Sequence, residues 1–340
     1  MNSFERTPVV LSDELLRKPI KDLGLRLEGS PLEKFVVQLH EELARKGLKF
    51  FRPACYLTDE WGCPDQEPII GIPFYLADPK LAALEREMND LEDEREIMMY
   101  LRHEAGHAFN YAYALYKTDE WKTLFGPFRR PYRDHYRPVP FSRRFVRHIA
   151  GWYAQKHPDE DFAETFAVWL TPRSGWRKRY KGWGALHKLR YVDRIVRRLG
   201  EQPPPRAIGA PDITVEQMEQ TIEEFYRSTT PDEAQTIAEL ALDTDLADIF
   251  LRRVSRRRAT VRPAAEMLAE HRKEIVDKVT YWTGVRRPLV KSLVEWIERR
   301  VAELKLGALK DREAAYVVEI TAYTTTLAMN YLTRGKFTQS

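Results

Sequence analysis

Apolar positions recur at helical spacing through most of the chain, and two stretches read instead as strands. Leu32, Phe35, Val36, Leu39, Leu43 and Leu48 fall on one helical face, which predicts an amphipathic helix over 31–48. Residues 50–58 (FFRPACYLT) read as a strand, and 69–76 (IIGIPFYL) as a second. Pro73 within it lacks an amide donor and so suits a sheet edge. A short helix over 78–89 then leads to a longer one, with Asn89 or Asp90 as its cap and Glu92, Asp93 and Glu94 in its first turn. From Ile97 to Tyr116 the only formal charges are Arg102 and Glu104, so most faces of that helix are expected to be buried. Four prolines among many Arg and Tyr predict a loop over 125–145, long enough to be a substrate-facing rim. Pro158 suits the first turn of a helix over 158–170. Further amphipathic stretches predict helices over 182–198, 214–226, 232–253, 264–282, 288–306 and 312–332, with Pro231, Pro263 and Pro288 at starts or breaks.

The fold expected from this order is α+β but mostly helical. A first domain occupies 1–200, a Pro-rich linker 201–212, and an all-helical domain of unassigned role 213–340. At 340 residues, 43% hydrophobic and 31% charged, the chain suits globular folding. The N-terminal twenty residues have no signal-peptide apolar core, and no apolar run reaches the roughly 20 residues of a membrane span. Cys55 and Cys63 fit neither a zinc ribbon nor a disulfide framework. They read as small core residues in a reduced, cytoplasmic protein. Charge changes the picture more. Between Trp121 and Gly200, 19 Lys and Arg face 6 Asp and Glu, although the whole chain is only +4. Such a basic rim would draw in acidic substrates or nucleic acid.

The chemistry concentrates in His103-Glu104-Ala105-Gly106-His107. Residues four apart leave a helix on one face, so the two imidazoles make half of a tetrahedral zinc site. Glu104 is then placed to take a proton from a zinc-activated water. Asn110 and Tyr113 stand where a metzincin continuation needs Gly and His, which excludes that class. His135, His148 and His157 are alternative nitrogen ligands. Glu160 fits better as the third ligand, because Glu164 one turn later can accept a hydrogen bond from the far nitrogen of a ligating His. Two carboxylates on one helical face also repel unless a cation lies beside them. His271 reads as a solvated helix residue.

H-E-x-x-H followed by Glu160-Asp161-Phe162-Ala163-Glu164 resembles the gluzincin arrangement. It is similar to the catalytic domain of anthrax lethal factor and to the bacterial group labelled putative zinc-binding metallopeptidases. The resemblance implies a zincin-like domain, with a small mixed sheet whose edge strand lies over the active-site helix, and one Zn2+ ion. It also implies that Tyr153, seven residues before Glu160, stabilises the oxyanion. The expected activity is hydrolysis of peptide bonds in a peptide or protein, with no membrane partner. The alternative is a basic nucleic-acid-associated or scaffold protein whose zinc site is structural or vestigial.

Overall fold

Asp93 starts the helix on which everything else is arranged. Its carboxylate accepts from the amides of Arg95 and Glu96, while the Glu96 carboxylate accepts from the Asp93 amide, a reciprocal cap. The helix, called here the His helix, runs Glu94–Ala112. The start expected at Asn89 or Asp90 lies outside the described residues, and Glu92 is not in the first turn. Its carboxylate is buried and accepts from the Trp61 indole and the Tyr75 hydroxyl. The computed structural model describes residues 13–88, 91–133, 136–228, 237, 240–251 and 260–338.

The chain forms two units, one of Met1–Tyr132 with Pro138–Ser228 and one of Arg133–Arg137 with Thr229–Ser340. In the first, the helix Glu33–Arg45 packs on the His helix through Leu39 and Leu43. A buried two-point ion pair, Arg102 to Glu42 at 2.7 and 2.8 Å, reinforces that contact. Strands β1 (Ala54–Thr58) and β2 (Ile69–Pro73) run parallel, Ala54 opposite Ile69 and Thr58 opposite Pro73. The sheet is thus two parallel strands rather than the mixed sheet expected, with an isolated antiparallel bridge from Gly62 to Gly71 beside it. The strand expected over 69–76 ends at Pro73, whose ψ of 128° leads into a 3-10 turn, Phe74–Ala77.

The second element of the site is the helix Pro158–Leu170, here the carboxylate helix. Pro158 occupies its first turn, and His157 caps it by accepting the Asp159 amide on Nδ1 at 3.2 Å. All thirteen of its residues are buried. It therefore has no solvent face. Phe166 stacks on Phe109 of the His helix at 5.1 Å, and Ala185–Leu199 covers the opposite side.

Residues 201–212 lie along this unit. The Arg206 amide donates to Ala112 O at the end of the His helix, and its guanidinium pairs with Glu67. The Tyr56 hydroxyl reaches Asp212 at 2.5 Å. In place of one helix over 214–226 there is a 3-10 turn, Val215–Gln217, followed by a helix, Ile222–Ser228, whose Phe225 packs edge-on against Phe74.

The second unit has its own core, with Leu268, Ile275, Leu293, Ile297 and Ile320 fully buried. The helices Ala264–Thr283, Arg287–Glu303 and Glu313–Arg334 follow the expected stripes, and Pro263 and Pro288 sit at helix starts. A three-residue antiparallel ladder pairs β3 (Val261–Pro263) with β4 (Gly307–Leu309). Of the helix expected over 232–253, Asp243–Ile249 is described; Pro231 and much of the remainder lie outside the described residues. Among the described residues no helix is long and apolar enough to cross a membrane.

Candidate metal centre

The two helices pack closely where Gly106 meets the backbone of Ala163. That contact brings His103 and His107, three residues before and one after Gly106, against Glu160 and Glu164, three before and one after Ala163. His103 Nε2 lies 3.1 Å from His107 Nε2, and Glu160 Oε2 lies 3.0 and 3.3 Å from the same two atoms. All three side chains are buried. Together they form a group able to hold a metal ion.

The outer nitrogens decide what lies between those atoms. His103 Nδ1 is 3.1 Å from Glu164 Oε1, and His107 Nδ1 is 2.8 Å from Asp159 Oδ2. Each carboxylate accepts a hydrogen bond from the Nδ1–H of its imidazole, and in that neutral tautomer Nε2 carries a lone pair. Two such nitrogens and a carboxylate oxygen then face one another about 3 Å apart. A divalent cation satisfies all three at once. For zinc bound at about 2.0–2.1 Å, neighbouring ligand atoms of a tetrahedron stand about 3.3 Å apart, close to the spacing found. The donor set therefore fits the metal.

Charge points the same way. Glu104, Asp159, Glu160 and Glu164 are all buried, and among the described residues none of them pairs with a Lys or Arg. Without an ion the imidazoles take up that deficit. Burial opposes protonation of His103, but its hydrogen bonds to Glu160 and Glu164 prevail and hold it at about 9. His107 is likewise raised well above the usual range, the charges of Asp159 and Glu160 overcoming its burial. Burial raises the Glu104 carboxyl, with the two imidazoles pulling against it. Glu104 makes no hydrogen bond or ion pair to a described residue, which leaves it free to handle a proton.

Tyr153 faces the site. Its hydroxyl is 3.3 Å from Glu160 Oε1 and its ring meets His103 edge-on at 5.6 Å. Glu164 also receives the backbone amides of His148 and Ile149, so it is fixed from two sides. The other candidate nitrogens lie elsewhere. His148 Nε2 bonds Met99 O, His157 Nε2 bonds Arg130 O, and His135 lies outside the described residues. His271 is half-buried beside Glu274.

Sequence reasoning missed two groups. Asp159 holds His107 and also accepts from the Tyr111 hydroxyl at 2.5 Å and the Asn110 amide at 2.7 Å. An acidic first turn was visible in the sequence, but acids at a helix start have an ordinary explanation in the helix dipole. Asp161 is the third acid of that turn and pairs with Lys188 at 2.5 Å. The second missed residue is Tyr132, whose hydroxyl lies 2.8 Å from Glu160 Oε1. It comes from the proline-rich loop, and no spacing rule connects it to Glu160.

A search of curated proteins and a search of solved structures each found no match. Residues 66–176, a segment that contains both ligand helices, match the model of the family described as "Putative zinc-binding metallo-peptidase".

Proposed function

We propose that the chain is a zinc-dependent peptidase of gluzincin type, with His103, His107 and Glu160 as metal ligands and Glu164 as the carboxylate that orients His103. The observation carrying this reading is the convergence of two imidazole Nε2 atoms and one carboxylate oxygen on a single point. Three protein ligands leave the fourth position open, which is the pattern of catalytic rather than structural zinc.

A bound zinc ion would acidify a water and polarise the scissile carbonyl. Glu104 takes the proton as that water attacks and returns it to the leaving amine. Its raised carboxyl suits the role, since a base with an elevated pKa holds a proton more readily. Tyr153 donates its hydroxyl to the carbonyl oxygen as negative charge develops there, an interaction typically worth about 3–4 kcal/mol. The hydroxyl is available, because burial and the neighbouring carboxylates keep the phenol protonated. The substrate is a peptide or protein, and the basic stretch 121–200 favours acidic segments.

Metal analysis of purified protein together with a peptide-library digest tests this. Near-stoichiometric zinc is expected in the wild type and in Glu104→Gln, with cleavage only by the wild type. Glu160→Ala should lose the metal. Undiminished cleavage by Glu104→Gln removes the base, and a wild type without divalent metal removes the whole reading.

A further inference from the structure

Two phenols meet on one oxygen of the third ligand. Tyr132 and Tyr153 lie 2.8 and 3.3 Å from Glu160 Oε1, while Oε2 of the same carboxylate faces the imidazoles of His103 and His107. Tyr153 precedes the carboxylate helix by one turn. Tyr132 is 28 residues before Glu160, on the proline-rich loop.

The loop holds Tyr132 firmly. Its ring stacks on His157 with centroids 4.0 Å apart and planes at 21°. His157 is itself fixed, donating from Nε2 to Arg130 O at 2.6 Å and accepting the Asp159 amide on Nδ1. One imidazole thus caps the carboxylate helix and seats the tyrosine. Farther along, the Gln155 side-chain amide donates to Val139 O at 2.9 Å and accepts the Val139 amide at 2.8 Å, which pins the returning strand of the loop. A phenol keeps its proton at neutral pH and a carboxylate has none to give, so the Tyr132 hydroxyl is the donor to Glu160 Oε1.

A carboxylate can grip a divalent ion with one oxygen or with two. Two-oxygen binding would consume the position a substrate or water needs. We infer that Tyr132 is a positioning residue which, by occupying Glu160 Oε1, restricts that carboxylate to coordination through Oε2. Tyr153, the more distant of the two phenols, is then released to face substrate. The inference rests on the metal reading proposed above.

Cobalt(II) alone is the probe, because its visible absorption is stronger in four-coordinate than in five-coordinate sites. Tyr132→Phe removes only the hydroxyl of a half-exposed side chain. Its cobalt complex is expected to absorb more weakly than the wild type, with affinity lower by about ten- to a hundredfold. Tyr132→Leu, which also removes the stacked ring, should give the same spectral change. Metal-free forms of both variants should melt as the wild type does. Tyr153→Phe should keep the wild-type cobalt spectrum while losing turnover. Wild-type spectra and affinities in both Tyr132 variants overturn the inference and leave the metal reading standing. A wild type that takes up neither cobalt nor zinc overturns both.

Discussion

Gly106 faces the backbone of Ala163 across the two ligand helices: a Cβ on Gly106 would stand 2.7 Å from Ala163 Cα and 2.9 Å from its carbonyl oxygen. Both atoms belong to the backbone of a fully buried helix, so neither can swing aside. Gly106→Ala therefore sets two effects against each other. Alanine favours a helix interior by about 1 kcal/mol over glycine. Overpacking a close contact typically costs about 1–3 kcal/mol. The net expectation is a loss of up to about 2 kcal/mol in stability. Separation of the helices should also weaken zinc binding. Denaturant titrations with and without zinc measure both quantities. A variant that is as stable as the wild type and binds zinc equally well would show that the close approach does not set the site.

Asp159 takes three hydrogen bonds from a single turn of the His helix, those of His107, Asn110 and Tyr111. Asp159→Asn keeps the shape but replaces one accepting oxygen with a donor. It then confronts the Asn110 amide on one side, or the His107 imidazole and Tyr111 hydroxyl on the other. Zinc affinity is expected to fall about ten- to a hundredfold, the usual cost of losing a carboxylate that orients a ligating His. Thermal shift with added zinc checks this. Binding to the folded state alone stabilises by about 2.7 kcal/mol at a hundredfold excess over Kd, so the wild type should melt higher with zinc and lower after chelation. The variant should need correspondingly more zinc for the same shift. An unchanged zinc dependence would mean that Asp159 serves packing alone.

Most of this site was legible because its chemistry has a period. His103 and His107 are four apart on an apolar helix, and Glu160 and Glu164 are four apart behind a proline that opens a helix. Local rules also placed Glu33–Arg45, Ala264–Thr283 and the other striped helices to within a few residues. What was not legible is long-range. Glu92 looks like a first-turn acid, yet Trp61 and Tyr75, distant in sequence, draw it inward and leave Asp93 as the cap. Asp159, Glu160 and Asp161 are three consecutive acids of one helical turn. They diverge to an imidazole, the metal group and Lys188, a division that only the packed neighbours reveal. Tyr132 depends on where a loop closes, which no periodicity encodes.

The two cysteines give a pH prediction that does not involve substituting a ligand. Burial pushes the Cys55 thiol up to about 12. Cys63 is raised well above the normal range, by burial first and then by the charges of Glu104 and Asp159, and its sulfur donates to Glu67 O at 3.0 Å. An unfolded chain loses these protons near 8.5. The native state therefore holds more protons than the unfolded one above that pH, and the stability associated with the neutral thiols is lost as pH rises from about 8.5 towards 12. Two measurements follow. Both thiols are partly buried, so at pH 8 a disulfide reagent should label them markedly more slowly in the native protein than after denaturation. Between pH 8 and 10 the denaturant midpoint of the wild type should fall more than that of Cys55→Ala, which has one such proton fewer to lose. Rapid labelling of native Cys55 at pH 8 would mean that its thiol is open to solvent and the shift absent.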